Sequence, residues 1–95
     1  MLSSIDITSN PSLRALYANN NQLYYIDLNN NSLLTILNLD NNNFNNISVA
    51  NNILLEHLEM QHNQLRSIDL GSNTALKTIY FNHNQLTNID VSNSQ

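Results

Sequence analysis

Apolar residues return along this chain with a fixed period of 21. Blocks beginning at Leu13, Leu34, Leu55 and Leu76 align without insertion or deletion, and block positions 1, 4, 6, 11, 14 and 16 are apolar in every copy. In the first block these are Leu13, Leu16, Ala18, Leu23, Ile26 and Leu28. Residues 2–12 match the second half of a block. The chain therefore reads as one domain, 1–95, made of a half repeat 1–12 and repeats 13–33, 34–54, 55–75 and 76–95. The L-x-L alternation at positions 4 to 6 has the period of a short strand with one face inward. Stacked repeats place these strands in parallel, ~4.8 Å apart, in one ribbon of sheet. Positions 14 to 16 (IDL, ISV, IDL, IDV) alternate in the same way and carry no helical period. They predict extended or short helical-turn backbone for the second arm, with few or no long helices, and a flattened coil of little curvature.

Each repeat must reverse direction twice, yet the chain has one glycine and one proline. Asparagine is the candidate turn residue because it tolerates the left-handed conformation. Position 9 is Asn21, Asn42, Asn63 and Asn84; position 19 is Asn10, Asn31, Asn52 and Asn73, then Ser94. An amide side chain both donates and accepts, so a buried asparagine can satisfy backbone groups of its own turn and the next one. The stretch LDNNNFNNISVANN, 39–52, is thereby read as folded. Leu39, Phe44, Ile47 and Val49 face a core, Asn42 and Asn52 sit at the two bends, and the other asparagines point outward.

L-x-x-L-x-L-x-x-N-x-L, recurring through the whole chain, resembles the leucine-rich repeat. The 21-residue period and the second half I-D-L-x-x-N are similar to the repeats common in bacterial secreted and surface proteins. The resemblance implies a solenoid used in adhesion or protein recognition, at the cell surface or outside the cell. Neither end carries a recognisable cap, unlike the larger members of the family.

Composition narrows the function. Apolar residues form 41% of the chain and charged ones 11%, the reverse of a self-repelling disordered chain. The net charge is -4, and Arg14, Arg66 and Lys77 are the fixed cations. That is too few for the clustered Lys and Arg that nucleic acid requires, or for a basic membrane-surface patch. No apolar run nears the ~20 residues of a membrane span, and MLSSIDITSN lacks the layout of an export signal. Without cysteine there is no disulfide framework or thiolate metal site.

Positions 3, 5, 7 and 8 are the outward sites beside the first strand. Their columns are Ala15, Ile36, His57, Thr78; Tyr17, Asn38, Glu59, Tyr80; Asn19, Asp40, Gln61, Asn82; and Asn20, Asn41, His62, His83. Tyr17, Asn38, Asp40, His57, Glu59 and Tyr80 make a polar, mildly acidic face of a composition suited to protein or glycan contact. A solvated face drawn from an asparagine-rich background explains the same residues. His62 and His83 share a column, but a transition-metal site needs three or four ligands of fixed geometry. Asp6, Asp27, Asp69 and Asp90 form a further column, interrupted by Ser48. Hard-cation binding would relieve their repulsion, and bonding to nearby backbone explains them more simply. No nucleophile elbow, metalloprotease helix or phosphate loop is present, so neither enzyme nor cofactor is expected. Asn30-Asn31-Ser32 and Asn46-Ile47-Ser48 match the glycosylation sequon at a level chance supplies.

Two functions remain. One is a recognition module whose sheet face meets a protein or glycan. The other is a structural spacer or self-assembling unit that associates through its uncapped ends, where Leu2, Ile5 and Ile7, or Phe81, Leu86, Ile89 and Val91, would be uncovered.

Overall fold

Alternation at positions 4 to 6 forms a strand in each repeat. The computed structural model describes residues 2–86 and the backbone of 88–90. Its strands are β1 (Ala15–Tyr17), β2 (Ile36–Asn38), β3 (His57–Glu59), β4 (Ser67–Asp69), β5 (Thr78–Tyr80) and β6 (Asn88–Asp90). One parallel sheet has the order β1-β2-β3-β5 and a second joins β4 to β6. The register joins equal repeat positions: Ala15 opposite Ile36, Ile36 opposite His57, His57 opposite Thr78. Every outward side chain therefore lies over its counterpart, ~4.8 Å away. No helix occurs among the described residues, and none is long and apolar enough to cross a membrane. The molecule is flat, 33 × 30 × 16 Å. This is a repeat solenoid with a parallel sheet on one face.

The inward positions form a continuous cluster from Ile7 to Leu76. Leu23, Leu34, Leu37, Leu39, Phe44, Leu55, Leu58, Met60, Leu65 and Leu70 are fully buried. Each large apolar side chain so removed from water contributes about 1.5–3 kcal/mol. Ile47, expected in the core, is only partly buried. It borders a dent of about 100 Å³ between the backbone of Tyr25–Asn29 and that of Asn46–Ser48. The second arm is laddered in the third and fourth repeats, through β4 and β6, and the dent lies between the first and second. Ile5, Phe81 and Leu86 are partly buried, and Leu2 is 51% exposed. The expectations for Val91, Ser94 and the side chains of Ile89 and Asp90 fall outside the described residues.

The first bend turns on position 8. Asn20, Asn41, His62 and His83 all have φ between 58° and 62°, the left-handed region. Asparagine and histidine enter this region more readily than most residues because their side chains are short or planar and polar beyond Cβ. The chain's glycine is not among the positive-φ residues. Asn41, read from the sequence as a variable outward residue, is therefore conformationally selected.

Position 9 closes the same bend. Asn42 Nδ2 donates to the carbonyls of Leu39 (3.0 Å) and Asp40 (3.2 Å) in its own turn and of Ala18 (3.1 Å) in the turn before. Its Oδ1 accepts from the Leu23 amide at 3.0 Å. Asn63 repeats the arrangement with Met60, Gln61, Leu39 and Phe44, and Asn84 with Phe81, Asn82, Met60 and Leu65. Asn21 bonds Ala18, Asn19 and the Leu2 amide. The bonds between turns reach backward to the preceding turn, not forward as the sequence alone suggested.

At the second bend, position 19 makes fewer bonds. Asn31 Nδ2 donates to Ile7 O (3.1 Å) and Asn10 O (2.9 Å), and Asn52 Nδ2 to Leu28 O (3.1 Å) and Asn31 O (2.9 Å). Asn73 donates likewise to Val49 O and Asn52 O. The Oδ1 atoms of Asn31 and Asn52 are buried and accept no hydrogen bond. Asn10, expected to belong to this ladder by its side chain, is exposed and joins through its carbonyl instead. The backbone itself closes this bend with two successive i→i+3 bonds, Asn52 N to Val49 O and Leu55 N to Asn52 O in the second repeat.

Two stability outcomes follow. In denaturant melts, Asn42→Ala, which orphans the buried Leu23 amide, costs about 1–3 kcal/mol. Asn52→Ala costs less because it also removes an unmatched oxygen, and exposed Asn45→Ala stays within about 0.5 kcal/mol. At position 8, His62→Gly is neutral or stabilising, whereas His62→Val costs about 1–2 kcal/mol through its branched Cβ in the left-handed region.

Candidate ligand face

The outward columns of β1-β2-β3-β5 stand on a hydrogen-bonded base, so their spacing is fixed by the ladder. Tyr17 is 64% exposed at one side and Tyr80 44% exposed at the other. Between them His57 Nε2 lies 3.5 Å from Glu59 Oε2, two residues apart on the same face of β3. The His57 ring meets Tyr80 edge-on, with centroids 5.9 Å apart and planes at 69°. This is the favoured geometry for two rings that touch without stacking.

Not all the expected face residues are free for a ligand. Asn38 Oδ1 accepts from the Asp40 amide (3.0 Å), and Asp40 Oδ1 accepts from the Gln61 amide (2.7 Å). Both are engaged in holding the bend. Gln61 Oε1 in turn accepts from Asn82 Nδ2 (3.2 Å). Position 7 is thereby a polar rail along the edge of the sheet.

The opposite edge carries residues the sequence reading passed over. Position 2 is Arg14, Thr35, Glu56 and Lys77, just before each strand. Lys77 Nζ lies 3.4 Å from Glu56 Oε1. At such exposure the pair is worth little in stability, but it fixes two opposite charges side by side. Thr35, Glu56 and Lys77 form one wall of an open groove of about 380 Å³, and Tyr17, Ile36, His57 and Thr78 form the rest. The hydroxyl of Thr35 donates to Arg14 O at 3.0 Å, leaving its oxygen free to accept. The signal for this edge lay in the repeat register: position 2 is a column of charge and hydroxyl in a chain poor in charge.

Tyr24 and Tyr25 are also 67% and 64% exposed, on the second arm, and Ile53 and Leu54 are exposed at the second bend. Neither pair was marked by the strand pattern, because both fall between inward positions.

The histidine column is placed differently from a metal site. His62 and His83 stack with centroids 4.1 Å apart and planes within 9°. Imidazole lone pairs lie in the ring plane, so two parallel rings aim them side by side. A metal about 2.0–2.1 Å from one nitrogen stands out of the plane of the other. No group of three or more His, Cys, Asp or Glu suited to a metal ion occurs among the described residues. The aspartate column is engaged in turns: Asp6, Asp27 and Asp69 accept from the amides of Thr8 (2.9 Å), Asn29 (3.0 Å) and Gly71 (2.8 Å).

Asp6 also accepts the Thr8 hydroxyl at 2.6 Å. That bond, then the Thr8 amide, holds the carboxyl below its ordinary pKa against a small opposing effect of burial. A depressed folded-state pKa contributes stability above the unfolded value, and the contribution is lost as pH falls through the folded one. In an NMR titration Thr8→Val therefore raises the Asp6 midpoint toward the ordinary carboxylate value, and Thr8→Ser leaves it low.

No protein-family model matches the chain, and no curated protein matches it. Among solved structures it is similar to the functional domain of InlJ from Listeria monocytogenes, which includes a cysteine ladder. The TM-score is 0.60 at 21% identity, over 97% of this chain and 25% of that one. The chain thus spans a quarter of the length of that structure. InlJ is an internalin, a leucine-rich-repeat protein, and the likeness establishes a leucine-rich-repeat fold here. This chain has no cysteine, and buried asparagines run along both its bends.

Proposed function

We propose that the chain is a non-catalytic recognition module, built on leucine-rich repeats of the 21-residue bacterial type. It belongs to a bacterial surface or secreted protein and presents the outer face of β1-β2-β3-β5 to a protein or glycan ligand. One observation carries the reading: the sheet face and its edge gather charged side chains, a histidine and two tyrosines, while the aspartates of the bends are engaged in turns. Asp6, Asp27, Asp40 and Asp69 are held by backbone amides. Arg14, Glu56, Glu59 and Lys77 stand on or beside the sheet with His57, Tyr17 and Tyr80. A rigid face that mixes tyrosine with paired charges is suited to contact at low conformational cost. Glu56 and Glu59 each pair with a different partner, Lys77 and His57.

The alternative, association through the ends, is favoured by the exposure of Leu2 and the partial cover of Ile5, Phe81 and Leu86. One comparison separates the two. The chain is screened against glycan and displayed-peptide arrays, beside a Tyr17→Ala/Tyr80→Ala variant and a Tyr24→Ala/Tyr25→Ala control. Binding that the first variant loses and the second keeps is the expected result. If binding survives the first variant, the sheet face is not the site. Light scattering on the same samples reads the alternative. Mass that grows with concentration, persists in both tyrosine variants and disappears on Leu2→Asp favours the ends.

A further inference from the structure

We infer that the groove along the position-2 edge of the sheet binds a neutral oligosaccharide, with one pyranose ring stacked on Tyr17 and its hydroxyls held by Glu56, Lys77 and Thr35. This inference rests on the sheet-face reading and specifies its ligand.

Charge is the first argument. The chain carries -4, yet the groove's own formal charges, Glu56 and Lys77, cancel at 3.4 Å. Glu59 stands beside His57 at 3.5 Å, adding a carboxylate to the same neighbourhood. With Arg14 at the head of the same edge, two cations stand against two carboxylates, so a sulfated, phosphorylated or sialylated ligand would find no net positive charge to hold it. A neutral ligand meets no net repulsion.

Shape and bonding capacity argue next against a peptide. The floor is the face of a sheet, whose amides and carbonyls are engaged in the ladder with neighbouring strands. The open strand edges are those of β1 and β5 at the two ends of the groove, so an extended peptide lying along it crosses the strands and cannot add by main-chain bonds. The groove is open and shallow, without the enclosed hole that an anchoring side chain needs. A sugar needs neither. It presents an apolar C–H face and a rim of hydroxyls that donate and accept at once. Tyr17 is an exposed ring at one end of the groove, and Ile36 supplies an apolar floor beside it. The paired Glu56 and Lys77 each keep spare capacity, a second carboxylate oxygen and further ammonium protons, and Thr35 keeps a free lone pair. Vicinal hydroxyls match such an alternation of acceptors and donors. The groove crosses all four strands, three steps of about 4.8 Å, long enough for more than one sugar ring.

The test is an NMR titration of the full chain with separate neutral tetrasaccharides of glucose, mannose and N-acetylglucosamine. A sialylated tetrasaccharide and a displayed random-peptide library run alongside. The expected result is a saturable shift of the Thr35, Ile36, His57 and Thr78 amides with at least one neutral sugar. Tyr17→Ser then weakens binding roughly tenfold. Tyr17→Phe, which keeps the ring, retains it, and Tyr25→Ser on the other arm has no effect. The retained affinity of Tyr17→Phe separates lost stacking from lost folding. Equal affinity for the sialylated sugar overturns the inference, as does silence from every neutral sugar. If the library instead yields peptides whose binding Tyr17→Ser abolishes, the glycan is wrong and the sheet face stands. Shifts confined to the Tyr24–Tyr25 arm overturn both.

Discussion

A chain that reverses twice every 21 residues must bury bends, and each bend brings carbonyls and amides out of water. A buried backbone group without a partner costs about as much as the hydrogen bond it lacks. This protein meets that constraint with asparagine side chains placed inside the coil, at 0–7% exposure for Asn31, Asn42, Asn52, Asn63 and Asn73. Position 9 is the stronger device, because both ends of the amide are used and each of them bonds to the turn before. At position 19 the side chains of Asn31 and Asn52 donate without accepting, and there the backbone closes most of the bend by itself. The leucine core supplies the driving force, and the asparagines remove the penalty that would otherwise oppose it.

That division leaves the outer face unconstrained. Strands of three residues turn two side chains outward each, and apart from Asn38, which holds its bend, none is needed for the ladder or the core. The sheet can therefore carry Tyr17, His57, Glu59 and Tyr80 without loss to the fold. Charge is distributed accordingly. Aspartates beside the bends hold turns, and the two glutamates and Lys77 stand at the sheet, paired with partners that keep them in place.

Much of this was legible in the residues. The period of apolar positions located the four strands of the main sheet and the core, since a strand with one face inward has only one register that buries its leucines. Position 9 was readable as well, because asparagine stood there in every copy. The direction of its bonds was not, since an amide serves the turn before or after equally well until the coil's geometry chooses. Position 8 was hidden by its mixed identity: two asparagines and two histidines share one backbone conformation, and residue type drew attention to the histidines as ligands too few for a metal and not to the turn. The groove was missed because its wall lies one residue before each strand, where no alternation marks it. The partial burial of Ile47 beside its dent had no sequence signal, as ISV alternates just as IDL does.

The backward reach of position 9 has a meaning for synthesis. The Leu23 amide is satisfied by Asn42, nineteen residues further on, and the Phe44 and Leu65 amides wait in the same way for Asn63 and Asn84. A chain made from its N-terminus thus finishes each coil only when the first bend of the following one has emerged. The newest coil is always incomplete, and every new one arrives with the side chain that closes its predecessor. Growth and sealing are the same event, displaced by one turn of the solenoid.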